Sequence, residues 1–125
     1  MPILKEHKEF HMPDIGTGWH VPSGYPPGIE QKVLSGSLDE QAGSGHRTRL
    51  LRFKPGALTK KPFVHDYWEE VYLLAGDLIV GDAANGDALE TFAPGAYACR
   101  PPGIHHGPFR SEQGCLLLEI HYYDR

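Results

Sequence analysis

The sequence is short of several things. It has two cysteines, Cys99 and Cys115, too few for a disulfide framework, and a reducing compartment is the simpler assumption. No apolar run approaches the roughly 18 residues of a membrane span. There is no basic surplus: 12 Lys and Arg stand against 16 Asp and Glu, a formal net charge of −4. Nucleic-acid binding normally needs the opposite balance. The start, Met1–His7, lacks the apolar core of a signal peptide, so a cytoplasmic protein is expected. A phosphate-cradling glycine loop ending in Lys-Ser/Thr, a Gly-x-Ser-x-Gly elbow and a four-cysteine zinc pattern are all missing. Gly16-Thr17-Gly18 lacks the third glycine of a dinucleotide fingerprint. No segment after residue 46 has a 3.6-residue apolar period, so no amphipathic helix is expected there.

What remains is a chain for one folded domain. It has 125 residues, 40% hydrophobic and 22% charged, too apolar for a disordered segment. Glycine (15) and proline (11) are well above ordinary usage, and punctuation that dense leaves little room for long helices. Eight histidines invite a search for a metal or acid–base site.

Residues 1–45 are rich in turn formers, with one short strand expected over 29–34, and read as an N-terminal arm. From His46 the chain becomes a series of short strands: 46–54, 70–75, 78–81, 89–92, 96–100 and 115–123. Pro55-Gly56, Asn85-Gly86, Pro94-Gly95 and Pro101-Pro102-Gly103 separate them. Asn85-Gly86 is the strongest hairpin signal, because both positions tolerate positive φ. Short strands at about ten-residue spacing between Gly/Pro turns argue for a β-sandwich or small barrel over 46–125.

Two segments concentrate the reactive side chains: Phe63–Gly76 and Gly95–Pro108. They resemble the paired motifs of the cupin superfamily. The first motif reads Gly, five residues, His-x-His, three or four residues, Glu, six residues, Gly. The second reads Gly, five residues, Pro-x-Gly, two residues, His, three residues, Asn. Here Glu69 precedes Gly76 by the required interval, and His65 occupies the second-histidine slot. Gly95, Pro101, Gly103 and His106 match the second motif without a gap. Three positions depart: Phe63 fills the first-histidine slot, Gly56 lies one residue too far upstream, and Arg110 replaces the terminal Asn.

The resemblance implies an all-β double-stranded β-helix, a jelly-roll barrel of the small RmlC-like cupin type with an irregular N-terminal arm. It also implies a homodimer, since such proteins pair through N-terminal strands. Two histidines and one carboxylate on one face form a triad suited to Fe(II) or zinc, with manganese or nickel as further choices. His65, Glu69 and His106 are therefore the expected metal ligands and catalytic residues. The implied activity is a metal-dependent oxygenase-type reaction on a small organic substrate, aromatic, diketone or hydroxy acid. Two alternatives stay open. The Glu-Glu-Val-Tyr and Gly-Pro-Phe-Arg-Ser segments also resemble the cupin half of zinc-dependent, ChrR-type anti-sigma factors, which implies a sensory cupin without turnover. A metal-free isomerase, lyase or cyclase would use His65 or His106 as general base.

The bland readings run alongside: a turn histidine at His65, solvated carboxylates at Glu69 and Glu70, a loop pair at His105 and His106. Spacing to Gly76 and Gly103 favours Glu69 over Glu70 and His106 over His105. Residues two apart on a strand share a face, so Phe63 should line the pocket beside His65. Arg52, Tyr97 and Arg100 are further pocket candidates, an inward arginine being suited to an anionic substrate. Tyr67, Trp68 and Tyr72 read as packing residues, Cys99 as a small buried side chain and Lys60-Lys61 as a solvated loop. On the last strand Leu116, Leu118, Ile120 and Tyr122 share an all-apolar face, the expected core. Glu119 and His121 are then expected on an outer or intersubunit face.

Overall fold

The computed structural model describes residues 5–124. Eight strands follow one another: β1 Ile29–Asp39, β2 Ser44–Phe53, β3 Trp68–Gly76, β4 Leu78–Val80, β5 Glu90–Phe92, β6 Tyr97–Arg100, β7 Phe109–Arg110 and β8 Cys115–Tyr122. A five-stranded sheet in the order β1-β2-β8-β3-β6 faces a three-stranded sheet in the order β5-β4-β7. All pairings are antiparallel. This is the all-β architecture that the strand pattern called for, in the jelly-roll form that the cupin resemblance implied. No α-helix occurs among the described residues, so none is long and apolar enough to cross a membrane.

Period-two alternation sets the interior. On β8, Cys115, Leu117, Glu119 and His121 are buried while their neighbours are half-exposed. On β2, Arg49, Leu51 and Phe53 are buried, and on β3, Glu69, Val71 and Leu73. The interior therefore has two zones. Ile29, Leu51, Phe53, Val71, Leu73, Cys115 and Leu117 form an apolar cluster at one end. Gln31, Arg49, Glu69, Glu119 and His121 form a buried polar layer at the other.

Several expectations need correcting. The apolar face of β8 is not the core; Glu119 and His121 point inward and Leu116, Leu118, Ile120 and Tyr122 do not. Register explains this, because β8 pairs Glu119 with Arg49 and His121 with Glu69. Each inward charge thereby meets a partner, which is the condition for burying it. The first strand runs to Asp39, well past residue 34, and β2 begins at Ser44, two residues before the expected start. Asn85-Gly86 does not form a two-residue turn. Ala83–Asn85 is a single 3-10 turn capped by the Asp82 carboxylate, and only Gly86 takes positive φ (83°). Cys99 is exposed.

At Gly76, where β3 ends, φ is +85°. A side chain there would also collide with the Gly114 carbonyl, just before the adjacent strand β8. The glycine lets the chain turn sharply from β3 into β4 and so from one sheet to the other.

Candidate functional site

Two loops are stitched together at the barrel mouth. Phe63 and His106 exchange both backbone hydrogen bonds, at 2.7 and 2.9 Å, and the Gly103 amide donates to the His65 carbonyl at 2.8 Å. These contacts bring His65 and His106 to one place although 41 residues separate them in the chain. Glu69 enters from β3. One ligand atom from each of His65, Glu69 and His106 lies within 4.8 Å of the others. His106 Nε2 is 3.4 Å from Glu69 Oε1 and His65 Nε2 is 3.8 Å from Glu69 Oε2. A cavity of about 30 Å³ opens beside Glu69, Phe63 and His106, enough for an ion or a water.

The donor chemistry fits a divalent cation. His106 Nδ1 is 3.2 Å from the Ile104 carbonyl; a carbonyl only accepts, so Nδ1 carries the proton and Nε2 keeps its lone pair. His65 Nε2 is buried with no hydrogen-bond partner. An orphaned polar atom costs about 1–3 kcal/mol, and a bound cation would satisfy it. Burial pulls His65 down to about 4, against the rise that Glu69 causes. Burial also lowers His106. Both rings are therefore neutral at physiological pH, the form that ligates metal.

A second, deeper cluster joins Glu69, Glu119 and His121. Arg49 donates to Glu119 at 2.9 Å, to Gln31 at 2.8 Å and to the Tyr25 hydroxyl at 3.1 Å. Burial alone would raise the Glu119 carboxyl, but Arg49 and His121 outweigh it and hold it well below the ordinary range. Burial pushes the Tyr25 hydroxyl up to about 12. His121 touches Glu69 at 2.9 Å and Arg47 at 2.7 Å. Sequence reasoning passed over Arg47 and Arg49 and placed Glu119 and His121 on the wrong face. The available signal was parity: Arg49 alternates with Leu51 and Phe53, and Glu119 with Leu117 and Cys115.

The remaining candidates divide. Phe63 lines the cavity and stacks on Tyr25 at 4.9 Å. Arg100, opposite Glu69 in the β3–β6 register, donates to Glu69 Oε1 at 3.0 Å. Arg52 is not at the site. It sits between inward Leu51 and Phe53, so it points outward, pairing with Glu30 at 3.0 Å and covering the Trp19 ring at 4.0 Å. Tyr97 borders a second cavity between the sheets, but its hydroxyl turns away, donating to Glu70 on the outer face, where Tyr122 meets the same carboxylate. Glu70 and His105 lie off the site, as their spacing suggested.

A jelly-roll barrel with a His/Glu cluster at its mouth is a cupin. The sequence signature of the ChrR cupin-like domain matches residues 16–122, and the chain belongs to that family. A comparison with curated proteins finds no match. Among solved structures, an RmlC-like cupin from Shewanella frigidimarina superimposes with a TM-score of 0.67 at 16% identity, covering 98% of this chain and 96% of its own. The polyketide cyclase RemF from Streptomyces resistomycificus gives 0.67 at 22% identity, covering 94% and 80%. An acetylacetone dioxygenase from Acinetobacter johnsonii gives 0.63 at 17% identity, covering 94% and 76%. At these identities the likeness is one of fold.

Proposed function

We propose that this cupin is a metal-dependent enzyme, of oxygenase type, acting on a small organic substrate, with His65, Glu69 and His106 holding one divalent ion. The observation that carries this reading is the buried, unpartnered Nε2 of His65, set near a carboxylate and a second neutral imidazole. Iron(II) and zinc both suit two imidazoles and one carboxylate, a set that leaves coordination positions open. The bound ion would supply Lewis-acid polarisation of a substrate oxygen.

The chain's own residues do the rest. The Phe63–His106 backbone bridge fixes the separation of the two imidazoles. Ile104 sets the His106 tautomer. His121 and Arg100 grip the two oxygens of Glu69, leaving lone pairs on each for a further contact. The Phe63 ring stands where a further donor would sit and keeps that side of the cavity apolar.

A second reading follows from Arg100. Its guanidinium already neutralises Glu69 at 3.0 Å, so the site is charge-balanced without an ion, as a metal-free isomerase, lyase or cyclase would have it. Elemental analysis of untagged protein separates the two. Near one ion per chain, together with a rise in melting temperature on adding Fe(II) or zinc, is expected. No ion, and no thermal shift with any divalent metal, rejects the metal reading and leaves the second.

A further inference from the structure

Behind the His/Glu cluster, between the two sheets, lies a second cavity of about 100 Å³. Its walls are apolar: Leu73, Leu78, Val80, Phe92 and Leu117. Among the described residues, Arg100 is the one charged side chain that lines it, and Arg100 also lines the smaller cavity beside Glu69 and His106. The guanidinium thus stands where the apolar chamber meets the proposed metal site. Its side chain is 21% exposed and rests over the Phe109 ring at 5.6 Å. Among the described residues its only hydrogen bond is the one from Nη1 to Glu69. A guanidinium has five N–H donors in a planar fork, so most of them are uncommitted and one edge is free for a second carboxylate.

We propose that this chamber binds a short aliphatic monocarboxylate, its carboxylate on Arg100 and its chain against Leu73, Leu78, Val80, Phe92 and Leu117. As the substrate class of the metal centre this rests on the function proposed above; as a binding site it does not. Shape and charge both select the class. A dry apolar cavity of about 150 Å³ holds the six carbons of benzene, so 100 Å³ takes a chain of about four. The planar fork of arginine matches a carboxylate with two parallel hydrogen bonds. A doubly charged phosphate would meet one cation and the Glu69 carboxylate beside it, since the remaining polar side chain on the wall, Tyr97, gives its hydroxyl to Glu70. An amine would face the guanidinium.

The test is calorimetric titration of chelator-treated protein with pentanoate, pentanamide, acetate and octanoate. Pentanoate binds about tenfold or more tighter than pentanamide, since the amide forfeits a charge-assisted pair. Acetate binds about tenfold or more weaker than pentanoate through loss of chain burial, and octanoate gains nothing over pentanoate, because its further carbons stay in solvent. Arg100→Gln abolishes the preference for acid over amide, while Arg100→Lys retains part of it. Equal affinity for pentanoate and pentanamide, no pentanoate binding at millimolar concentration, or an unchanged acid preference in Arg100→Gln overturns the proposal. Should Arg100→Gln not fold, the ligand series on the native protein decides alone. A parallel zinc titration keeps the two claims apart. Zinc uptake without acid preference sinks only the carboxylate site, and acid preference without zinc uptake sinks only the metal centre.

Discussion

His121 Nε2 lies 2.9 Å from Glu69 Oε2, and the two residues face each other directly in the β3–β8 register. The other ring nitrogen, Nδ1, receives the Arg47 guanidinium at 2.7 and 3.2 Å. An arginine can only donate, so Nδ1 is the acceptor and Nε2 carries the proton. His121 is thereby committed as a donor to Glu69 and, at 3.3 Å, lies close to Glu119 as well. It aims the carboxylate and is not itself poised to bind an ion. The Glu69–Glu119–His121 cluster reads accordingly as support for the outer site.

Removing that donor should loosen the ion without removing a ligand. His121→Leu is expected to lower zinc affinity by about 10–100-fold, the usual effect of losing an outer-shell partner. A competition titration against a chromophoric chelator measures it. Unchanged affinity would mean that Glu69 is held adequately by Arg100 alone.

The Arg49–Glu119 pair is buried on both sides, with side chains 2% and 6% exposed. Arg49→Met should destabilise the fold by about 3–5 kcal/mol, because it strands a buried carboxylate. The double variant Arg49→Met/Glu119→Leu should recover most of that loss. Urea denaturation of the two variants checks the pattern; a double variant as unstable as the single would refute it.

Phe63 occupies the slot of the missing imidazole, its ring 6.1 Å from the rings of both His65 and His106. Phe63→His should raise zinc affinity about tenfold or more by adding a donor. It should also cost about 1 kcal/mol from the lost stack on Tyr25. Isothermal titration with zinc reads the first effect and thermal melting of the metal-free protein reads the second.

Acid should weaken the metal-free fold through His65. Its pKa falls from 6.5 to about 4 on folding, so the unfolded chain takes up a proton that the folded chain refuses. The contribution is fully present above pH 6.5 and is lost progressively as the pH falls towards 4. Glu119, depressed by Arg49 and His121 against the cost of burial, adds a loss of the same sign at lower pH. Across this range the metal-free native protein should lose stability relative to His65→Gln as the pH drops, read from their denaturation midpoints. Parallel curves would show that His65 does not titrate with folding.

Local spacing was enough to read much of this protein. Gly/Pro turns at short intervals marked the strands, and the match of His65–Glu69–Gly76 and Gly95–Pro101–Gly103–His106 to the cupin motifs picked out the residues that meet at the barrel mouth. Phe63 was found on the same basis, whereas Arg100 was named, together with Arg52, only as a strand arginine that could face the pocket. Asn85-Gly86 misled because Asp82 caps the turn instead, a side-chain contact that no dipeptide signal includes.

The sequence by itself determined that the chain is β throughout its core, where the strands break, and which histidines and glutamate accompany the turns. These are short-range properties, set by backbone preferences and by a period of two along each strand. Only the tertiary structure decided which of the two faces of each strand turned inward. Period two leaves that choice open, and a one-residue slip in pairing reverses it. On β8 the apolar face lost to Glu119 and His121 because Arg49 and Glu69 arrive opposite them from other strands. A charge can be buried when its partner is waiting, and that partner was 70 residues away for Glu119 and 52 for His121.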